Sequence, residues 1–289
     1  MTSDSGGVSA RLVRVAEQIS LAYEALPNLA MSIVTGSVAR GIADASSDLD
    51  VYLFWKHIDV EALTSPARAE GVIGSRLLGL RTETGFFEKY RHGDRLVDVE
   101  SVGLDTLSAV ASSLDRHEPM SPLVAKTMAG LRDAVPLRGA DELDAWRTRL
   151  VYTPEQAIVE TAVNLRRFLA PVAIYELTLA RGDIISFSRR MSTIALGAIG
   201  AVAALNRYAL PAEDPKWLPW HVARMPLQPS DFMARLQAPF DRPHEPHLTA
   251  FASALLDTLD LVESEMPAAR PEVRRARFTL AFPPDAHHA

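Results

Sequence analysis

Two aspartates, Asp48 and Asp50, stand one residue apart at the head of the apolar run "DLDVYLFW", residues 48 to 55. In a strand, side chains alternate between faces at about 3.3 Å per residue, so these carboxylates share a face about 7 Å apart along the chain. Leu49 and Val51 take the other face, toward a core. Two carboxylates on one side repel unless a cation stands between them. Oxygen-only ligands select a hard ion, and Mg²⁺ typically takes one or two carboxylates while substrate phosphates complete its shell. The pair points to a metal–nucleotide site.

Upstream, the apolar run "AMSIVT" ends at Gly36-Ser37. A residue without a side chain lets a phosphate approach the backbone, and the Ser37 hydroxyl can donate to it. A short helix opening in "SVARG" would aim free N–H groups at the same anion. Arg40 lies in that segment, either as a phosphate contact or as a solvated arginine, and Ser46 and Ser47 lead into the carboxylate strand. Two ions clamping an in-line displacement sit about 3.5–4 Å apart and share ligands, which asks for a third acid. "RLVDVES" offers Asp98 and Glu100 on one strand face, alternating with Val97 and Val99. Asp98, the first acid after Leu96-Val97, is the choice, and Glu100 is the alternative.

The elements that must hold these residues are legible in outline. Leu12, Val15, Ile19 and Ala22 recur at helical spacing within 8–26, a helix closed by Pro27. Strands are expected at 30–35 and 48–55. "FFEKYR" and "RLVDVES" flank the turn His92-Gly93-Asp94 as a strand pair. Helices follow at 103–115 and 120–131. From Pro154, which suits a first helical turn after Thr153 as N-cap, the patterns at 154–180, 183–208 and 246–265 are helical. The expectation is an α+β chain: a nucleotide- and metal-binding domain with a mixed sheet at 1–145, then an all-α substrate-binding domain at 146–289.

Composition narrows the classes. Thirty basic and 36 acidic side chains give a net charge of −6, which argues against an extended nucleic-acid surface. No cysteine is present, so disulfides and thiolate metal sites are excluded, and the eight histidines show no zinc spacing. No G-x-S-x-G elbow supports a hydrolase. "MSTIALGAIGAVAAL" at 191–205 is too short to span a bilayer and reads as a buried helix. "MTSDSGGVSA" lacks the regions of a signal peptide, so a soluble, cytoplasmic protein is expected.

Gly36-Ser37, ten intervening residues, Asp48-Leu49-Asp50 and a later Val97-Asp98-Val99 resemble the signature of the DNA polymerase β-type nucleotidyltransferase superfamily. By pattern the chain is similar to the bacterial antibiotic and minimal nucleotidyltransferases. "RGD" at 181–183 and "LNRYALPAEDPKWL" at 205–218 add a looser likeness to the C-terminal domains of some bacterial members. The resemblance implies Asp48, Asp50 and Asp98 as ligands of two Mg²⁺ ions, with Gly36, Ser37 and Ser47 on the triphosphate. It implies transfer of a nucleoside monophosphate, AMP from ATP first, to a small-molecule hydroxyl such as an antibiotic's. A macromolecular acceptor (protein or tRNA, as in toxin–antitoxin systems) and a catalytically silent nucleotide-binding module are the rivals.

Related enzymes also take a base from the helical domain. Glu160 and Glu176 fall on one expected helix, about 160° apart around its axis, so they cannot face the same way. Glu176, followed by Arg181 near the helix end, is the first choice as base and Glu160 the second. Lys216 would either reach the triphosphate or lie along the ring of Trp217.

Overall fold

The computed structural model of the chain describes residues 5–64, 70–211 and 216–281. Residues 1–4 of the N-terminal stretch and 212–215 of the "LNRYALPAEDPKWL" stretch lie outside them. The chain forms two compact units. One runs to Asp115 and again from Lys126 to Val151, and the other comprises Arg116–Ala125 and the chain from Tyr152 onward.

The first unit opens with α1 (Ser5–Glu24), β1 (Leu29–Val34), α2 (Gly36–Ala39) and β2 (Leu49–Trp55). Two short helices follow, α3 (Val60–Thr64) and α4 (Glu70–Ile73), then β3 (Ser75–Arg81), β4 (Gly85–His92) and β5 (Arg95–Gly103). After α5 (Leu104–Asp115) and α6 (Pro122–Asp133), of which the part from Lys126 belongs to this unit, β6 (Val135–Arg138) and α7 (Ala140–Arg149) complete the series. The strands form one sheet in the order β3-β4-β5-β2-β1-β6. Only the β2–β5 pair at its centre is parallel, so the sheet is mixed.

Alternation along the central strands separates the two faces. Leu49, Val51 and Leu53 of β2 and Val97 and Val99 of β5 are fully buried, packed with Leu12, Ala16, Ile19 and Tyr23 of α1 in one apolar cluster. This is the core face that the expected helix and strands called for. β3 and β6 are additions to the expected set. β3 is an edge strand whose Leu77, Leu78 and Leu80 are exposed, so neither face carries an apolar–polar alternation. β6 has four residues including Pro136, a residue that edge strands tolerate.

The core face carries the carboxylate of Glu88. Glu88 of β4 is buried and accepts from Tyr23 Oη at 2.5 Å and Tyr90 Oη at 2.6 Å, with Arg76 Nη1 3.5 Å away. Burial, and then the carboxylate beside it, push the Tyr23 phenol far above its ordinary range, so it remains a donor. A carboxyl group so placed is tolerated because donors surround it, and removing one exposes the cost.

Among its described residues the regular elements of the second unit are helices: α8 (Pro154–Leu165), α9 (Pro171–Leu177), α10 (Ile184–Leu205), α11 (Leu218–Val222), α12 (Phe232–Asp241), α13 (Glu245–Glu265) and α14 (Arg270–Ala281), with single 3₁₀ turns at 179–181 and 267–269. Its core gathers Met191, Ile194, Ala198 and Val202 of α10 with Phe251, Leu255 and Leu259 of α13. The apolar run at 191–205 is thus a buried helix, and among the described residues no helix is long and apolar enough to cross a membrane. Thr153 caps α8 as expected, accepting from Gln156 N at 3.1 Å, with Pro154 in the first turn.

One helix expectation needs correction. The 154–180 pattern is two helices, because α8 closes at 165–168 through Arg167 N→Asn164 O and Phe168 N→Leu165 O turns, and α9 restarts at Pro171. Proline lacks the N–H that a continuing helix needs and bends the residue before it out of helical geometry. Glu160 and Glu176 therefore sit on different helices, and the angle between them on a common axis has no meaning.

Replacing Tyr23 by Phe deletes one donor to the buried Glu88 carboxylate. The expected loss in unfolding free energy is about 1–3 kcal/mol. Urea denaturation followed by circular dichroism measures it, and an unchanged midpoint would mean that the phenol does not stabilise the sheet.

Candidate active site

On the face of the sheet opposite α1, the register does what the spacing in the sequence only implied. Parallel pairing places Asp50 of β2 beside Asp98 of β5, and antiparallel pairing places Lys89 of β4 beside Asp98 on its other flank. Asp48 enters from the residue just before β2. Each of Asp48, Asp50 and Asp98 offers a carboxylate oxygen within 4.8 Å of the other two, all three half-buried. Lys89 Nζ lies 3.1 Å from Asp98 Oδ1, yet out of line for a hydrogen bond, so that oxygen is shielded from water with a charge nearby but no donor aimed at it.

The turn from β1 is built around the same carboxylates. Thr35 N donates to Asp50 O at 3.0 Å, and Gly36 follows at φ +69. The positive dihedral favours glycine here, and a Cβ at Gly36 would also press on Asp50 Oδ2, so the carboxylate lies directly against the bare backbone. The short helix expected after it is α2, with Ser37 buried.

The loop between α2 and β2 is tightly tied. Asp44 accepts from Ser46 N at 2.9 Å, Ser46 Oγ at 2.8 Å and Ser47 Oγ at 3.0 Å, and these bonds hold its carboxyl below the usual range. Arg95 Nη1 donates to Asp44 O at 3.0 Å and Ser47 O at 2.9 Å. Asp48 is delivered from this knot. The Ser47 hydroxyl, expected on a triphosphate, is here part of the loop's own bonding.

Arg40 closes α2 and pairs with Asp133 at the end of α6, Nε to Oδ2 2.8 Å, while Arg132 Nε reaches Oδ1 at 2.7 Å. Burial raises the Asp133 pKa, but hydrogen bonds and charge from Arg132 and Arg40 outweigh it and hold the group below its ordinary value.

One register step beyond the triad, Tyr52 of β2 lies beside Glu100 of β5. Lys126 Nζ stands 3.4 Å from Glu100 Oε2 and 5.5 Å from the centre of the Tyr52 ring. Burial, then the charge of Glu100, push the Tyr52 phenol well above its usual range. Glu100 thus belongs to this second tier, and Asp98 is the acid that meets Asp48 and Asp50.

The second unit holds the other expected residues. Glu176 is exposed on α9 and Lys216 is exposed ahead of α11. Glu160 on α8 is half-buried and accepts from Met120 N at 2.6 Å and Gln156 Nε2 at 3.1 Å. Its pKa is raised because burial outweighs those bonds.

Lys89, Arg95 and Lys126 did not stand out in the sequence. Lys89 carries one signal, its position one residue from Glu88 in "FFEKYR", which sends the two to opposite faces. Which acid it meets is set by the register, and no local pattern displays that.

No protein-family model matches the chain, and no curated protein is detectably similar to it. Among solved structures, a nucleotidyltransferase-like protein from Exiguobacterium sibiricum 255-15 is similar over 90% of this chain and 77% of its own, with 14% identity and a TM-score of 0.40. An aminoglycoside 6-adenyltransferase from Bacillus subtilis is similar over 98% of this chain and 100% of its own, with 8% identity and a TM-score of 0.30.

Gly36 and Gly41 make a matched pair, since both have positive φ (+69 and +72) but a Cβ at Gly41 meets nothing within 4 Å. Gly41→Ala should cost about 1–2 kcal/mol from the left-handed backbone alone. Gly36→Ala should cost more, because Asp50 must also move. Equal losses in chemical denaturation would show that the Asp50 carboxylate swings aside freely.

Proposed function

We propose that this chain is a metal-dependent nucleotidyltransferase that moves a nucleoside monophosphate from a triphosphate, ATP first, to the hydroxyl of a small molecule. The observation that carries the reading is the convergence of Asp48, Asp50 and Asp98 within 4.8 Å beside the bare backbone of Gly36. The donor set fits a hard divalent cation such as Mg²⁺: it is oxygen only, half-buried, and includes the shielded Asp98 Oδ1 with no hydrogen-bond donor. Two ions follow from the family pattern rather than from the distances. When bound, the metal would supply charge for the α-phosphate and the leaving pyrophosphate.

In the proposed reaction the acceptor oxygen bonds to the α-phosphorus, and the bond from that phosphorus to the bridging oxygen breaks. Pyrophosphate leaves and the hydroxyl proton passes to a base. Gly36 and Ser37 are proposed on the triphosphate, with Arg40 held ready through Asp133 and Lys216 as a further phosphate contact. Ser47 shapes the loop that presents Asp48. The protein's work is chiefly to position charge before the reaction begins. An aminoglycoside-type antibiotic or a related metabolite is the leading acceptor class, on the strength of the sequence pattern.

Of the two acids named as base, Glu160 has the environment of a tuned group and Glu176 that of an exposed one. Burial raises the Glu160 pKa above its ordinary value, the direction a general base needs, although its Oε1 already accepts from Met120 N and Gln156 Nε2.

The deciding experiment incubates the protein with each α-labelled NTP and Mg²⁺, offering aminoglycosides, tRNA or cell extract as acceptors. Label should move to a small molecule, and Asp50→Asn should abolish transfer without unfolding the protein. Wild-type turnover in that variant would sink the metal reading, and label on tRNA or protein would replace the acceptor. Removing a base costs about 10²–10⁴-fold. The Gln variants of Glu160 and Glu176 are compared on that scale, the larger loss naming the base.

A further inference from the structure

Lys89 is a cation already seated at the carboxylates, and the reasoning about it rests on the metal-dependent reading above. It comes from β4, whose antiparallel register sets it beside Asp98. Its ammonium is 3.1 Å from Asp98 Oδ1 and 5.7 Å from the centre of the Phe87 ring. Its side chain is 32% exposed and that of Asp98 21%, so the pair stands at the open side of the sheet rather than inside it. The oxygen it approaches is the one shielded from water and lacking a hydrogen-bond donor. A metal ion drawing on Asp98 must therefore compete with an ammonium for that carboxylate.

We propose that Lys89 is a built-in counter-ion that couples metal binding to nucleotide binding at the triad. Without nucleotide, its charge stays on Asp98 and weakens the hold of Asp48, Asp50 and Asp98 on a divalent cation. A triphosphate offers a better partner, because an ammonium and a phosphate oxygen form a stronger, charge-assisted hydrogen bond than the misaligned contact to Asp98. Lysine suits the exchange: its point charge on a flexible four-carbon stem can swing between neighbouring anions without a fixed fork geometry. The consequence is ordered loading, with metal held firmly only when the substrate it serves is present. Linkage makes the effect reciprocal, so metal raises triphosphate affinity by the same factor that triphosphate raises metal affinity.

The test uses the full chain and Mn²⁺ as a paramagnetic probe, with binding read from the free-ion signal, with and without a non-hydrolysable ATP analogue. In the wild type the analogue should tighten Mn²⁺ binding. In Lys89→Met, Mn²⁺ alone should bind about tenfold tighter, and the tightening by the analogue should shrink by the same factor. Lys89→Arg, which keeps the charge, should retain most of the coupling. Lys89→Gln replaces the Met variant if thermal melting shows that Met disturbs the sheet. Wild-type Mn²⁺ affinity and coupling in both neutral variants would overturn the role of Lys89 and leave the metal site standing. Absence of Mn²⁺ binding in the wild type and the variants alike, with or without the analogue, would overturn the metal reading itself and this inference with it.

Discussion

The parallel pairing of β2 with β5 is the constraint on which the site depends. It sets Asp50 against Asp98 and, on the far side of the same strands, Val51 against Val99. The side-chain period of a strand is two, so a slip of one residue would bury the acids and expose the valines. The apolar contacts of Leu49, Val51, Val97 and Val99 with α1 thus hold the acids on the open face. Like charges brought together this way oppose folding, and the core behind them supplies the opposing term.

Neighbouring groups are arranged around that tension. Lys89 meets Asp98 from β4, Gly36 gives Asp50 room, and Arg95 with Asp44 fixes the loop that delivers Asp48. The next tier, Tyr52 with Glu100 and Lys126, repeats the pairing of an acid with a cation in a less crowded form. On the opposite face, Glu88 is compensated instead by two phenols and an arginine. Adjacent residues of one strand, Glu88 and Lys89, therefore serve different faces by different means.

The strands carrying the acids were legible because their apolar alternation is strong, and the acids stood out because they replace an apolar residue at a fixed interval. The N-cap at Thr153 and the buried run at 191–205 were legible for similarly local reasons. β3 was not, since an edge strand with Leu77, Leu78 and Leu80 exposed shows no alternation to read. The break between α8 and α9 was marked by Pro171, but the helical spacing on either side concealed it. Arg40's partner, 93 residues away, and the pairing of Lys89 with Asp98 depend on how distant segments meet. Such information lies in the packing of the sheet rather than in any window of sequence.

The placement of β3 and β4 between β2 and β5 in the chain has a temporal consequence. About fifty residues must be looped out before Asp98 can reach Asp50. Contacts of such sequence separation form slowly compared with helices and hairpins. During synthesis the polypeptide passes through a stage in which Asp48 and Asp50 have emerged while their third partner is still to be made. The acidic cluster is assembled from pieces that arrive at different times, and its completion marks the point at which the central sheet has closed.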